Sequence, residues 1–434
     1  MMDIYVVQPG DTIFTVADKF NVPYERLVRD NNISSEYLIN VGQILIITKP
    51  EQTYIVQNGD TLQSIAAAYE VTLLQLLQNN PNLFDRNYLS VGEELIIRYH
   101  KYDKQMEVNA FSFSHIREAD LQKNLLFLTY LTIADYRVTV RGDIIEPEDD
   151  SIISMAKEYG VAPIMMLSTL TEQGRGSFGI SHRIFNDIEL QNETIQNLMQ
   201  ILREKQLYGV NFGFQYIIPE DLQNYVDFIA RAKAVLSTEG FQVWVTLMPR
   251  TFGYNEDNNN ENPYIFQVGQ IADVVILLSY QWTVEYIPNV EQTTIPYIKR
   301  YTEYVLTKIP PEKILIGYTR IAYDWELPYV EGESPVAALA NYEALRLANQ
   351  IGTNLGFDEY YMTPYYYYER DGIEHFVWFK DARSLVALLN IAVEYNLKGI
   401  SIWNVMEYTP QLSVTLNAQY LIPKLYGVTS DFLG

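Results

Sequence analysis

The chain has 434 residues, 48% apolar and 20% charged, which suits one large folded domain with smaller ones and does not read as disordered. Its formal net charge of −23 argues against nucleic acid and anionic lipid as partners, because the long-range field repels phosphate. No cysteine and only four histidines leave no disulfide and no histidine-rich metal site, and nothing calls for a cofactor. No apolar stretch is long enough to insert into a membrane as a helix. Met1-Met2-Asp3-Ile4 opens without a basic segment and apolar run, so no signal peptide is expected. Tyrosine is abundant, at 35 residues, and flat amphipathic rings serve equally for cores and for sugar stacking.

The first hundred residues hold one pattern twice. Tyr5-Val6-Val7-Gln8-Pro9-Gly10-Asp11-Thr12 and Tyr54-Ile55-Val56-Gln57-Asn58-Gly59-Asp60-Thr61 each read as a short strand meeting a Gly-Asp turn. Helical apolar spacing follows (Val16, Ala17, Phe20; Ile65, Ala66, Tyr69), then Asn31-Asn32 or Asn79-Asn80. Closing strands begin at Gly42 and Gly92, and each pairs antiparallel with the opening strand of its copy in this reading. The pattern predicts two separately folding strand–helix–helix–strand modules, residues 4–48 and 53–98. It resembles the lysin motif (LysM), whose members bind N-acetylglucosamine-containing polymers such as peptidoglycan and chitin. The resemblance places sugar contacts around Gly10, Asp11, Thr12, Ile39 and Asn40, and around Gly59, Asp60, Thr61, Leu89 and Ser90. Asp11 and Asp60 stand equally well as caps of the turns that follow them.

From residue 105 to 430 apolar runs alternate with longer amphipathic segments. The runs are Glu107–Phe113, Leu125–Leu131, Ala162–Ser168, Gly209–Gln215, Gln242–Met248, Asp273–Ser279, Lys313–Thr319 and Lys398–Trp403. Eight such runs with crossover-length spacers predict an α/β fold, a (β/α)8 TIM barrel. The long gap before the last run predicts a small α+β insertion, of which residues 356–380 are part, walling one side of a groove. Tyr280-Gln281-Trp282, Tyr323-Asp324-Trp325, Phe376-Val377-Trp378 and Gly399-Ile400-Ser401-Ile402-Trp403 together resemble the family 18 glycoside hydrolases. The likeness is greatest to the spore cortex-lytic N-acetylglucosaminidase branch. That resemblance implies a spore-forming bacterium, synthesis in the mother cell cytoplasm and deposition at the spore coat or cortex surface. It also implies that Trp403 floors the central subsite and Tyr280 approaches the substrate's acetamido group, with Trp282 and Trp378 lining the walls.

In that family the fourth strand carries Asp-Gly-x-x-x-Asp-x-Glu, the glutamic acid protonating the glycosidic oxygen and the second aspartate orienting the acetamido nucleophile. Here the matching stretch is Tyr208-Gly209-Val210-Asn211-Phe212-Gly213-Phe214-Gln215. Asn211 suits the cortex-lytic branch, but Tyr208, Gly213 and Gln215 replace the three acids. A glutamine has no proton to give, though it can hydrogen-bond a glycosidic oxygen. General acid catalysis is worth roughly 10²–10⁴-fold, and loss of both carboxylates leaves negligible turnover of the family's kind. Tyr208, if it points inward, adds bulk to the pocket floor. Three readings stay open: a glycan-binding, non-catalytic protein; an N-acetylglucosaminidase whose acid has moved to Glu407, Glu285 or Asp135; and a scaffold whose acidic, tyrosine-rich face binds spore coat proteins.

Overall fold

The computed structural model describes residues 2–33, 38–86, 88–170, 177–214, 217–247, 263–278, 293–330, 334 and 336–427. Two N-terminal modules come first: β1 (Met2–Val6), α1 (Ile13–Phe20), α2 (Tyr24–Asp30) and β2 (Ile44–Thr48), then β3 (Gln52–Ile55), α3 (Leu62–Ala68), α4 (Leu73–Asn79) and β4 (Glu94–Arg98). β1 pairs antiparallel with β2, and β3 with β4, as the repeat predicts. Thr12 and Thr61 start α1 and α3 in the same way, each hydroxyl accepting the backbone N–H three residues on, from Thr15 at 3.1 Å and Ser64 at 3.0 Å.

The Asn-Asn pairs are not in register, contrary to the sequence reading. Asn31, the first of its pair, bonds Leu27 and Ile46, whereas Asn80, the second of its pair, makes the same bonds to Leu76 and Ile96. One buried amide therefore staples the second helix to the closing strand in each module. In the second module the neighbouring Asn79 adds a bond of its own to the closing strand, donating to the Ile97 carbonyl at 2.8 Å.

The large domain runs β5 (Glu107–Ser112), α5 (Glu118–Leu125), β6 (Tyr130–Val138), β7 (Ile144–Ile145), α6 (Asp150–Glu158), β8 (Ala162–Ser168), α7 (Phe178–Phe185), α8 (Ile188–Glu204), β9 (Gly209–Phe212), α9 (Leu222–Leu236), β10 (Gln242–Leu247), α10 (Pro263–Ile271), β11 (Val274–Leu277), α11 (Ile295–Leu306) and β12 (Ile314–Thr319). There follow β13 (Ile321–Glu326), β14 (Val336–Ala340), α12 (Asn341–Ile351), β15 (Gly356–Asp358), β16 (Thr363–Arg370), β17 (Ile373–Trp378), α13 (Ala382–Glu394), β18 (Gly399–Trp403) and α14 (Pro410–Asn417). Strands β5, β6, β8, β9, β10, β11, β12 and β18 form a parallel barrel, closed by pairing of β5 with both β6 and β18. This is the (β/α)8 fold.

One expectation needs correction. The run Leu125–Leu131 is not the second strand: Leu125 ends α5, Leu126 to Leu128 are a buried turn, and the strand begins at Tyr130. A short apolar run cannot be told from a buried helix end by periodicity alone. The insertion is also larger than the segment read as part of it. It starts at Ile321, directly after β12, and forms a five-stranded sheet in the order β14-β13-β17-β16-β15 with α12 on one face.

The N-terminal modules are docked on the barrel. β2 is buried along its whole length. Leu45 and Ile47 face the first module's own core, while Ile44 and Ile46 pack against Ala382 and Val414 of the barrel's helical layer. Helix α14 clamps both modules: Gln411 donates to Asn31 (3.1 Å), and Asn417 donates to Asn79 (2.9 Å) and to the Gln78 carbonyl (3.1 Å). A part-buried Arg26–Glu94 ion pair joins one module to the other. At Gly42 the first module touches the insertion so closely that a Cβ would lie 2.0 Å from the Leu355 carbonyl oxygen.

Docking of this kind makes unfolding cooperative across domains. Calorimetry of the full chain should show one transition, and Gly42→Ala should split off an earlier one. Two well-separated transitions in the unaltered chain would contradict the docking.

Candidate functional site

Side chains alternate along a barrel strand, so residues two apart enter the interior together. On β9 and its extension, Val210, Phe212 and Phe214 face the helical layer, where each is essentially inaccessible to solvent. Asn211 and Gly213 face inward. Asn211 is fully buried, and its Oδ1 accepts from Thr246 Oγ1 at 3.0 Å. Its Nδ2 has no partner among the described residues. Gln215, next in the alternation, lies outside the described residues, as do Tyr280, Trp282 and Glu285.

The space above Asn211 is filled by Met166, an inward residue of β8 paired with Asn211 across the strands. A Cβ on Gly213 would meet Met166 Cε at 2.2 Å, Cγ at 3.1 Å and Sδ at 3.2 Å. Position 213 thus lacks a carboxylate and also lacks room for one while Met166 keeps its place. Sequence reasoning found the glycine and missed the methionine, because which strand neighbour fills a vacated volume depends on register.

Tyr208 does not crowd the mouth. It precedes β9, at the opposite end of the barrel from Trp403, packed 6.0 Å from the Tyr130 ring with Tyr426 against the same cluster. Burial, and then the nearby Glu107 and Asp273 carboxylates, push its hydroxyl pKa up.

Trp403 ends β18 at the mouth. It is 8% exposed, braced by Phe111 (5.1 Å between rings) and edge-on by Phe113 (5.7 Å). Ile321 packs against both this interior cluster and the aromatic face of the insertion sheet, where Tyr323, Trp325 and Trp378 lie. Trp378 sits there against Tyr361 and Phe376, so it belongs to a wall that rises from the mouth.

Two of the three candidate displaced acids are engaged elsewhere. Asp135 accepts the Ser114 backbone N–H and ties down the chain after β5. Glu407 hydrogen-bonds Tyr342 of α12, whose hydroxyl pKa is pushed up to about 12 by burial first and by Glu407 second. Among the described residues no cluster of acids or histidines could hold a metal ion.

In the N-terminal modules, the turn aspartates are structural. Asp11 Oδ2 accepts from Tyr5 Oη (2.6 Å) and Gln8 N (2.7 Å), and Asp60 Oδ2 from Tyr54 Oη (2.8 Å) and Gln57 N (2.7 Å). The Tyr5 hydroxyl, then the Gln8 N–H, hold the Asp11 carboxyl below the usual range. Gly10 and Gly59 reach positive φ at +88° and +91° in these turns, open to solvent. Ile39 and Leu89 pack partly into the module cores. The Asn40 N–H donates to Gln43 Oε1 (3.1 Å), and Ser90 Oγ accepts from Arg86 (3.2 Å).

Exposed aromatics that the sequence reading did not name stand nearby: Phe14 (50% exposed), tilted against Tyr24, and Tyr88 (63%) beside Leu89. Phe14 falls off the buried face of α1, the one sequence signal that could have marked it.

Residues 174–407 match the family described as Glycosyl hydrolases family 18, and residues 5–48 and 54–98 match the LysM domain. The chain is 28% identical to the cortical fragment-lytic enzyme of Bacillus anthracis, covering 95% of this chain and 96% of that one. It is also 28% identical to the Bacillus subtilis enzyme of that name, over 98% and 99% of the two chains. The crystal structure of the Bacillus cereus spore cortex-lytic enzyme SleL superposes with a TM-score of 0.78 at 27% identity, covering 98% of this chain and 99% of that one.

Restoring the carboxylate tests the site's geometry. Gly213→Asp should destabilise the fold by about 1–3 kcal/mol through overpacking, and Met166→Ala in the same chain should recover part of that loss in denaturant titration. An additive loss in the double variant would show that Met166 is not what fills the space.

Proposed function

Because the chain belongs to glycosyl hydrolase family 18 and carries two LysM domains on that barrel, we propose that it binds peptidoglycan or another N-acetylglucosamine polymer of the spore envelope without cleaving it. The observation that carries the reading is Met166 packed where Gly213 leaves no carboxylate. Gln215 at the position of the family's acid is the chemical complement, since an amide cannot protonate a leaving oxygen. The names of the relatives, cortical fragment-lytic enzymes, support the spore cortex as the place where such a glycan is met.

Binding and catalysis draw on partly different groups, so a groove can lose one and keep the other. Trp403 keeps its bracing by Phe111 and Phe113 and serves as the sugar platform, in a reading in which Tyr280 approaches the acetamido group and Trp282 and Trp378 line the walls. In the LysM domains the carboxylates of Asp11 and Asp60 shape the turns. The exposed backbone at Gly10 and Gly59, together with Ile39, Asn40, Leu89 and Ser90, meets the glycan. Phe14 and Tyr88 supply stacking surface beside those loops.

The test is calorimetric titration of the full chain with chitotetraose, with a parallel pull-down on purified peptidoglycan. Trp403→Ala should weaken oligosaccharide binding by about 1–3 kcal/mol, by analogy with other aromatic stacking, and leave the pull-down intact. Tyr88→Ala should do the reverse. A folded chain that neither binds the oligosaccharide nor is retained by peptidoglycan would end the reading.

A further inference from the structure

A cavity of about 470 Å³ lies outside the barrel mouth, where the first LysM domain, α12 of the insertion and the start of α13 meet. Its size falls in the range of small-molecule sites. The seam that encloses it is held shut by the Leu355 N–H donating to the Val41 carbonyl at 2.9 Å, next to the close approach at Gly42.

The chemistry of its lining is uneven in an informative way. Asn349 Oδ1 is sealed from solvent without a hydrogen-bond partner among the described residues. Asn32, Arg346 and Gln350 also line the cavity, and their side chains form no hydrogen bond or ion pair with the described residues. Arg346 is exposed at the cavity rim, so its guanidinium is free to take an incoming anion without breaking an ion pair with a described residue. Tyr342 and Leu38 give the same cavity apolar walls. Uncommitted amides, one unpaired guanidinium and flat apolar walls together match an amide-bearing ring with a carboxylate substituent.

We propose that this seam is a binding site for a carboxylate-bearing N-acetyl amino sugar, a residue of the muramic acid type, with Arg346 taking the carboxylate and the exposed amides of Asn32 and Gln350 hydrogen-bonding the acetamido group. The proposal rests on the glycan-binding reading and deepens it. A strand lying across the first LysM domain would be gripped between that domain and the insertion, in a site that exists only while the two are docked.

The experiment uses the full chain and saturation-transfer NMR with N-acetylmuramic acid, its methyl ester and N-acetylglucosamine as separate probes. N-acetylmuramic acid should bind best, and Arg346→Ala should weaken it by about tenfold, the worth of a charge-assisted hydrogen bond. Arg346→Lys should restore part of the loss, and the methyl ester and N-acetylglucosamine should be indifferent to both changes. Equal binding of all three probes, or N-acetylmuramic acid binding unchanged in Arg346→Ala, would overturn the assignment. Chitotetraose is titrated into the same samples. Its binding through Trp403 without any signal from N-acetylmuramic acid sinks the seam site alone, and the converse sinks the barrel groove alone.

Discussion

The alternation of side chains along adjacent parallel strands is the constraint on which the site depends. Register between β8 and β9 sets Met166 beside Asn211, so its thioether rises into the layer that Gly213 vacates. Around it stand Phe111, Ile164, Trp244 and Leu278, all apolar and buried. An aspartate at 213 would be a charge in that surrounding, costly unless paired or hydrogen-bonded. In the same interior Thr132 and Ser401 bond Asn109, and Thr246 bonds Asn211 Oδ1, while Asn211 Nδ2 has no partner among the described residues. The barrel interior beside position 213 is thus occupied by Met166.

The second constraint is the two-sided burial of the closing strands. β2 spends one face on its own module and the other on the barrel, and Ile96 of β4 packs with Tyr99 and Ala418. The LysM domains therefore keep a fixed place on the barrel. Flexible tethering, which would give only an effective concentration, is replaced here by rigid placement. Such placement suits recognition of one glycan strand at several points along its length.

Much of this was legible in the sequence, for physical reasons that can be named. Repetition of Gly-Asp-Thr and of the closing strands marked the LysM domains because turn geometry and capping demand those residues. Eight apolar runs marked the barrel because buried parallel strands read as continuous hydrophobic stretches. What failed was local. Leu125–Leu131 blurred a helix end into a strand, and the Asn-Asn pairs hid a one-residue shift. Tyr208 stands one residue before a run whose start at Gly209 was read correctly, so its place at the strand's start, away from the mouth, was legible and was missed. Nothing in the chain marked Met166, Arg346 or Asn349, since each acquires its meaning from a neighbour far away in sequence.

The central claim is that this barrel holds glycan without breaking it. Its most direct test is prolonged incubation of the full chain, at high protein concentration, with chito-oligosaccharides and cortex muropeptides, followed by mass spectrometry of the products. The account predicts intact oligosaccharides under conditions where chitotetraose binding is demonstrably saturated. Accumulation of cleaved sugars that ceases on changing Glu407, Glu285 or Asp135 to alanine would contradict it and locate the acid that does the work.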